Sequence, residues 1–175
     1  RQFGRETGCA VVVGRFANIY GPGQDLGKPQ GLISQLCRAQ LTGTPLRIYV
    51  AMDTMREYLF VDDAAAMTWA CLIRAEQAET EVDGFGATHV KILGAGQPTT
   101  VAAILGELRR LTRRRPPVVM GRSPNARFQA PDLRFRSRRW PEVDALRRTT
   151  LSGGIGATLL DVGRGMRAGK QSPDR

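Results

Sequence analysis

Arg15-Phe16-Ala17-Asn18-Ile19-Tyr20-Gly21-Pro22-Gly23-Gln24 is the stretch whose reading decides the fold. Before it runs Cys9-Ala10-Val11-Val12-Val13, closed by Gly14. That apolar run has no polar alternation, the pattern of a strand covered on both faces in a parallel sheet. Straight after Tyr20, two glycines and a proline turn the chain. A buried strand thus delivers a guanidinium, an amide and a phenol to the lip of a sheet. Open α/β sheets take ligands there, at the carboxyl ends of their strands.

Upstream, Arg1 to Gly8 reads as the end of a helix stopped by Gly8. Downstream, Gly21 to Pro29 is a loop. Leu32, Ile33, Leu36, Cys37 and Leu41 then recur at helical spacing until Gly43 and Pro45. Leu46 to Val50 and Glu57 to Val61 read as strands separated by a turn at Ala51 to Met55. Asp62 is the expected N-cap of the next helix, with Asp63 adding negative charge to its positive end. That helix, to about Ala78, is rich in alanine and suited to lying close against a sheet. After a polar link, His89 to Leu93 is a strand turned by Gly94-Ala95-Gly96. Thr99 or Thr100 caps a helix carrying Val101, Ile104, Leu105, Leu108 and Leu111 on one face. Beyond Pro116-Pro117 the pattern weakens to a short strand at Val118 to Met120, alternation at Leu133 to Arg136, and a helix over Ser152 to Val162. Gly163 to Arg175 is expected to be a disordered polar tail.

The 175 residues carry 42% apolar side chains and a formal charge of +10. This is the composition of a globular chain with a core, and no apolar run approaches the roughly 20 residues that cross a bilayer. The polar first residues contain no apolar signal segment, and the chain begins at Arg1, as a fragment would. The basic excess sits in Arg109 to Arg115 and Arg134 to Arg148 without interleaved stacking aromatics. A nucleic-acid-binding module is one reading of it; an arginine-rich composition with a basic C-terminal third is the plainer one, and a diphosphate site would also benefit from the positive potential. Cys9, Cys37 and Cys71 form no Cys-x-x-Cys pair, and His89 is the only histidine. Buried reduced thiols in a cytosolic protein, without a metal, are expected.

Gly94-Ala95-Gly96 and Gly153-Gly154-Ile155-Gly156 do not complete a dinucleotide-binding fingerprint, and no Gly-x-Ser-x-Gly or Walker loop occurs. Arg56, beside a turn and just before a strand, fits either a solvated loop arginine or a charged donor to phosphate. Arg15, at the end of a buried-type strand, fits either an internal ion pair or a ligand contact.

Together these pieces resemble a known family. Arg15 to Gly23 is similar to the Arg-x-x-Asn-x-Tyr-Gly-Pro segment of extended short-chain dehydrogenases/reductases, the NAD-dependent nucleotide-sugar epimerases and dehydratases. Leu46-Arg47-Ile48-Tyr49-Val50 followed by Thr54-Met55-Arg56-Glu57-Tyr58-Leu59-Phe60-Val61-Asp62-Asp63 resembles the family's Pro-Leu-x-Ile-Tyr-Gly … Thr-Arg-Asp-Tyr-x-x-Val-Asp-Asp segment. The match runs from Val11 to about Thr112. Two departures stand out: Glu57 replaces the usual Asp, and Val50-Ala51 the usual Gly-containing turn.

The resemblance implies an α/β fold, the C-terminal part of a Rossmann-like parallel sheet with a small α/β substrate-binding lobe. Residues 1–115 would end the NAD-binding domain, with substrate-binding segments interleaved. Residues 116–162 would form the lobe. Ala17 would lie beside the nicotinamide end of NAD. Asn18 would hydrogen-bond the diphosphate or sugar of the substrate, and Arg56 would hold the diphosphate. Gly31 and Leu32 would line the nucleotide pocket, and Arg47, Ile48 and Tyr49 would flank base and ribose. Arg127 is the candidate for a further arginine of the lobe.

The family's Gly-rich NAD turn and its Tyr-x-x-x-Lys are both absent from this sequence. Most of the NAD site and the catalytic groups are therefore expected in a missing N-terminal half, with Arg1 to Gly8 the tail of the catalytic helix. The ligand would be a nucleotide-diphosphate sugar, with neither nucleic acid nor membrane as partner. Homodimers of the family form through helices of that other half. A non-catalytic member acting as a partner-binding protein is the remaining alternative. An open sheet edge with apolar faces would make the isolated chain poorly soluble.

Overall fold

The computed structural model describes residues 2–28, 30–78, 86–122 and 130–170. Helix α1 (Gln2–Thr7) ends where Gly8, at φ 72°, donates its N–H to the Gly4 carbonyl at 2.8 Å. Strand β1 (Val11–Phe16) runs parallel to β5 (Thr88–Leu93), from Val11 opposite Thr88 to Phe16 opposite Leu93. Ala17 extends that ladder by donating its N–H to the Leu93 carbonyl at 2.9 Å. The chain then changes sheets. Strand β2 (Asn18–Tyr20) runs parallel to β4 (Met55–Phe60), with Asn18 opposite Tyr58.

Strand β4 is the hub. Its first half pairs antiparallel with β6 (Pro98–Thr100) and parallel with β8 (Asp132–Leu133). A separate parallel pair joins β3 (Leu46–Ile48) to β7 (Val118–Met120). Helices α2 (Leu32–Thr42), α3 (Val61–Ala78), α4 (Val101–Thr112), α5 (Pro141–Asp144) and α6 (Leu151–Lys170) complete the order. The fold is thus the α/β arrangement expected, with parallel sheets and helices packed against them.

Two apolar clusters hold it. One gathers Tyr20, Ile33, Leu36, Cys37, Ile48, Phe60, Val101, Ile104, Leu108, Ile155 and Val162. The other sets Ala64, Met67, Cys71 and Ala75 of α3 against Leu59, Leu93, Trp140 and Val143. The alanines admit the close approach that the sequence suggested. Thr100 caps α4, its side chain accepting from the Ala103 N–H at 3.1 Å.

Four expectations are corrected. Strand β1 is not covered on both faces: Val13 and Phe16 are 42% and 43% exposed, and β5 is the strand paired with it among the described residues. Asp62 is not an N-cap, because α3 begins at Val61 directly after β4. It is the buried Asp63 whose carboxylate is engaged, accepting the N–H groups of Arg148 and Thr149 at 3.3 and 3.0 Å. Cys9 is exposed, while Cys37 and Cys71 are buried. Finally, α6 runs to Lys170 rather than ending at Val162. Its apolar stripe continues, with Val162 buried and Met166 packed on the same cluster. One of its glycines reflects close packing: a Cβ at Gly154 would overlap the Tyr20 phenol oxygen and lie 3.0 Å from Phe60 Cδ2.

Candidate substrate site

Period-two alternation along β4 sorts its side chains. Arg56 and Tyr58 share one face, and Glu57 occupies the other. The Glu57 carboxylate is buried and fully engaged. Oε2 accepts the Gly96 N–H at 2.9 Å and Oε1 the Phe135 N–H at 2.7 Å. Strand β4 is thereby tied to the turn after β5 and to the segment after β8. The Glu57 backbone carbonyl accepts from Asn18 Nδ2 at 3.0 Å, which fixes the asparagine amide against β4.

Asn18 and Arg56, distant in sequence, line one cavity of about 440 Å³ together with Tyr20, Gln24, Gln30, Gly31, Leu32, Thr54 and Tyr58. Arg56 also donates to the Met55 carbonyl at 2.8 Å. The loop before it is ordered without the glycine-containing turn. Thr54 donates its N–H to the Ala51 carbonyl at 3.1 Å, and the first N–H groups of α4, on Val101 and Ala102, bond the Thr54 and Met52 carbonyls. These are donors a helix start leaves without intrahelical partners.

A second cavity of about 630 Å³ adjoins the first and is lined by Arg47, Ile48 and Tyr49 with Leu26, Lys28, Gln35 and Arg38. Gln30, Gly31, Leu32 and Val50 line both cavities. Gly31, at φ 80°, starts α2 with no side-chain cap, so the helix presents its first N–H groups where the cavities meet. Gln35 holds the loop rim, donating to the Leu26 and Lys28 carbonyls at 3.2 and 2.9 Å.

Seven of the expected residues thus gather around one double cleft: Asn18, Gly31, Leu32, Arg47, Ile48, Tyr49 and Arg56, of which Ile48 is buried in its wall at 2% exposure. Ala17 is buried at the carboxyl end of β1 and is not among the lining residues. Arg15 is exposed on β1 and lines neither cavity. Arg127 lies outside the described residues. Sequence reasoning missed Gln24, Thr54 and Tyr58 as lining residues. The first follows the Gly-Pro-Gly turn directly, which was a signal to hand.

Titration behaviour follows burial. The Tyr20 phenol is pushed from 10.0 up to about 12, chiefly by burial and then by the Asp63 carboxylate, so it stays protonated. Burial also raises the Tyr58 phenol, against the lowering effect of Arg56. Neither is an accessible base. Among the described residues no cluster of His, Cys, Asp and Glu could hold a metal, and no helix is long and apolar enough to cross a membrane.

Known proteins share this fold. Residues 1–83 match the model of the NAD dependent epimerase/dehydratase family. MoeE5, solved in complex with UDP-glucose and NAD, is 25% identical with a TM-score of 0.66; the match covers 90% of this chain and 48% of that one. The UDP-glucose 4-epimerase of Thermotoga maritima, solved with UDP-glucose, shares the fold at a TM-score of 0.71 and 23% identity, covering 94% and 50%. The UDP-glucuronic acid 4-epimerase of Bacillus cereus shares it at 0.68 and 19%, covering 89% and 46%. The chain therefore spans about half the length of these structures. The segment 1–83, which carries Asn18 and Arg56 on their paired strands, is the part of the chain that matches the NAD dependent epimerase/dehydratase family.

Proposed function

We propose that the chain is the nucleotide-sugar-binding half of an NAD-dependent sugar epimerase or dehydratase. The observation that carries this reading is the convergence of Asn18 and Arg56 on one cavity that opens beside Arg47 and Tyr49. A guanidinium and an uncapped helix start suit a diphosphate. The adjoining cavity, with Tyr49 and the apolar Leu26 and Ile48 among its walls, suits a base and ribose. Seating the diphosphate away from the reacting carbon uses remote binding energy to position the sugar.

NAD supplies the redox chemistry in this family's reaction, taking a hydride from a sugar carbon and returning it after epimerisation or dehydration. In this chain Ala17 is the candidate contact. It sits just past the carboxyl end of β1, where ligands reach an open sheet. The sequence holds no Gly-rich dinucleotide-binding turn and no Tyr-x-x-x-Lys. The chain alone therefore binds without turning over, and NAD-dependent epimerase activity from it would refute that statement.

Calorimetric titration with UDP-glucose tests the binding role. Saturable binding is expected, weakened about tenfold or more in Arg56→Ala by loss of a charged donor. An absence of binding by the unaltered chain would overturn the reading. The engagement of Arg74, Arg110 and Arg134 with Glu142, Glu107 and Asp132 supports a structural origin for part of the basic excess.

A further inference from the structure

We propose that Gln24 is a further ligand-binding residue, its side-chain amide donating to a diphosphate oxygen where the two cavities meet. The proposal rests on the nucleotide-sugar reading and adds a contact to it. Ser34, in the first turn of α2, is wholly buried, and its hydroxyl donates to Gln24 Oε1 at 2.5 Å. With the acceptor end of the amide so anchored, Nε2 lies over Gly31: a Cβ there would overlap that nitrogen. Gly31 lines both cavities, and Gln24 lines the one that holds Asn18 and Arg56. Two N–H donors are thus held in place at the junction.

Three features show that this is a built arrangement. The Gln24 side chain is fixed at its far end by a buried partner, which removes much of the rotamer entropy of binding. Gly31 is required twice, once by its φ of 80° and once by the amide above it. The loop carrying Gln24 is itself pinned, since the Gly23 N–H donates to the Asp161 carboxylate of α6 at 3.0 Å. Gly31 is one of the residues shared by the Arg56 cavity and the Tyr49 cavity, and a ligand spanning both passes beside it. In a nucleotide sugar the part passing there is the diphosphate, whose oxygens are acceptors only.

Gln24→Glu separates this role from a purely structural one. A glutamate still accepts from Ser34, but it replaces the amide over Gly31 with an anionic oxygen. The probes are UDP and uridine, titrated into the unaltered chain, Gln24→Glu, Gln24→Met and Arg56→Ala, with a thermal melt of each to confirm folding. The expected result is UDP binding weakened about tenfold or more by Gln24→Glu and less by Gln24→Met, with uridine binding unchanged. UDP binding that falls in Arg56→Ala but not in Gln24→Glu would overturn the role of Gln24 alone. Equal loss of UDP and uridine in Gln24→Glu would overturn it as well, since the change would then be a general distortion. UDP binding absent from the unaltered chain would overturn both this inference and the reading beneath it.

Discussion

Strands β1 and β4 carry similar apolar character but live in different surroundings. Strand β4 is paired on both sides, by β2 and β6 with β8, and its inward carboxylate is satisfied by two backbone N–H groups. Strand β1 pairs with β5, and it leaves Val13 and Phe16 exposed. The difference teaches that this chain ties the strand lining its cleft on both sides while leaving a sheet flank apolar. An exposed edge of that kind favours self-association.

The sharpest way to break the comparison is to attack the anchor of the β1–β5 pair. Lys91 of β5 is fully buried. It donates to the Ser137 hydroxyl and the Arg139 carbonyl at 2.5 Å and pairs with Asp144 at 2.8 Å. Lys91→Ala leaves Asp144 and two part-buried acceptors unmatched, and should cost about 3–5 kcal/mol in denaturant unfolding. A cost under about 1 kcal/mol would mean that the segment around α5 is held by packing alone.

The cluster beneath the cleft gives the next effect. Tyr20 is raised from 10.0 to about 12 by burial, Asp63 and Cys37, and the Cys37 thiol from 9.0 to about 12 by burial. Both groups hold their protons more tightly when folded. Their contribution is therefore complete below pH 9 and is lost as pH rises towards about 12. Melting temperatures should fall across that window, and Tyr20→Phe should flatten the fall.

A smaller effect separates two glycines of α6. Gly154→Ala would crowd Tyr20 and Phe60 and should cost about 1–3 kcal/mol. Gly156 has nothing within 4 Å of an added Cβ, so Gly156→Ala should gain about 0.5–1 kcal/mol from helix propensity. Thermal melts of the two variants should move in opposite directions.

Local signals were legible in the sequence. Gly8 and Gly43 stop helices at left-handed φ, and Thr100 caps α4. Strands β1, β3, β4, β5 and β7 followed from the same reading, and seven residues to which the family resemblance pointed line the two cavities. What escaped it depends on partners distant in the chain. Asp63 rather than Asp62 is the engaged acid because its bonds reach Arg148 and Thr149. Gly154 is a packing glycine because Tyr20 lies against it. Gln24 reads as a loop residue until Ser34 is seen to hold it.

The central claim is that Asn18 and Arg56 receive one diphosphate. A crystal structure of the chain with UDP-glucose tests it most directly. The account predicts diphosphate oxygens within hydrogen-bonding distance of the Arg56 guanidinium and the Asn18 amide, with the uracil beside Tyr49. A diphosphate seated elsewhere, with neither side chain touching it, would contradict the account.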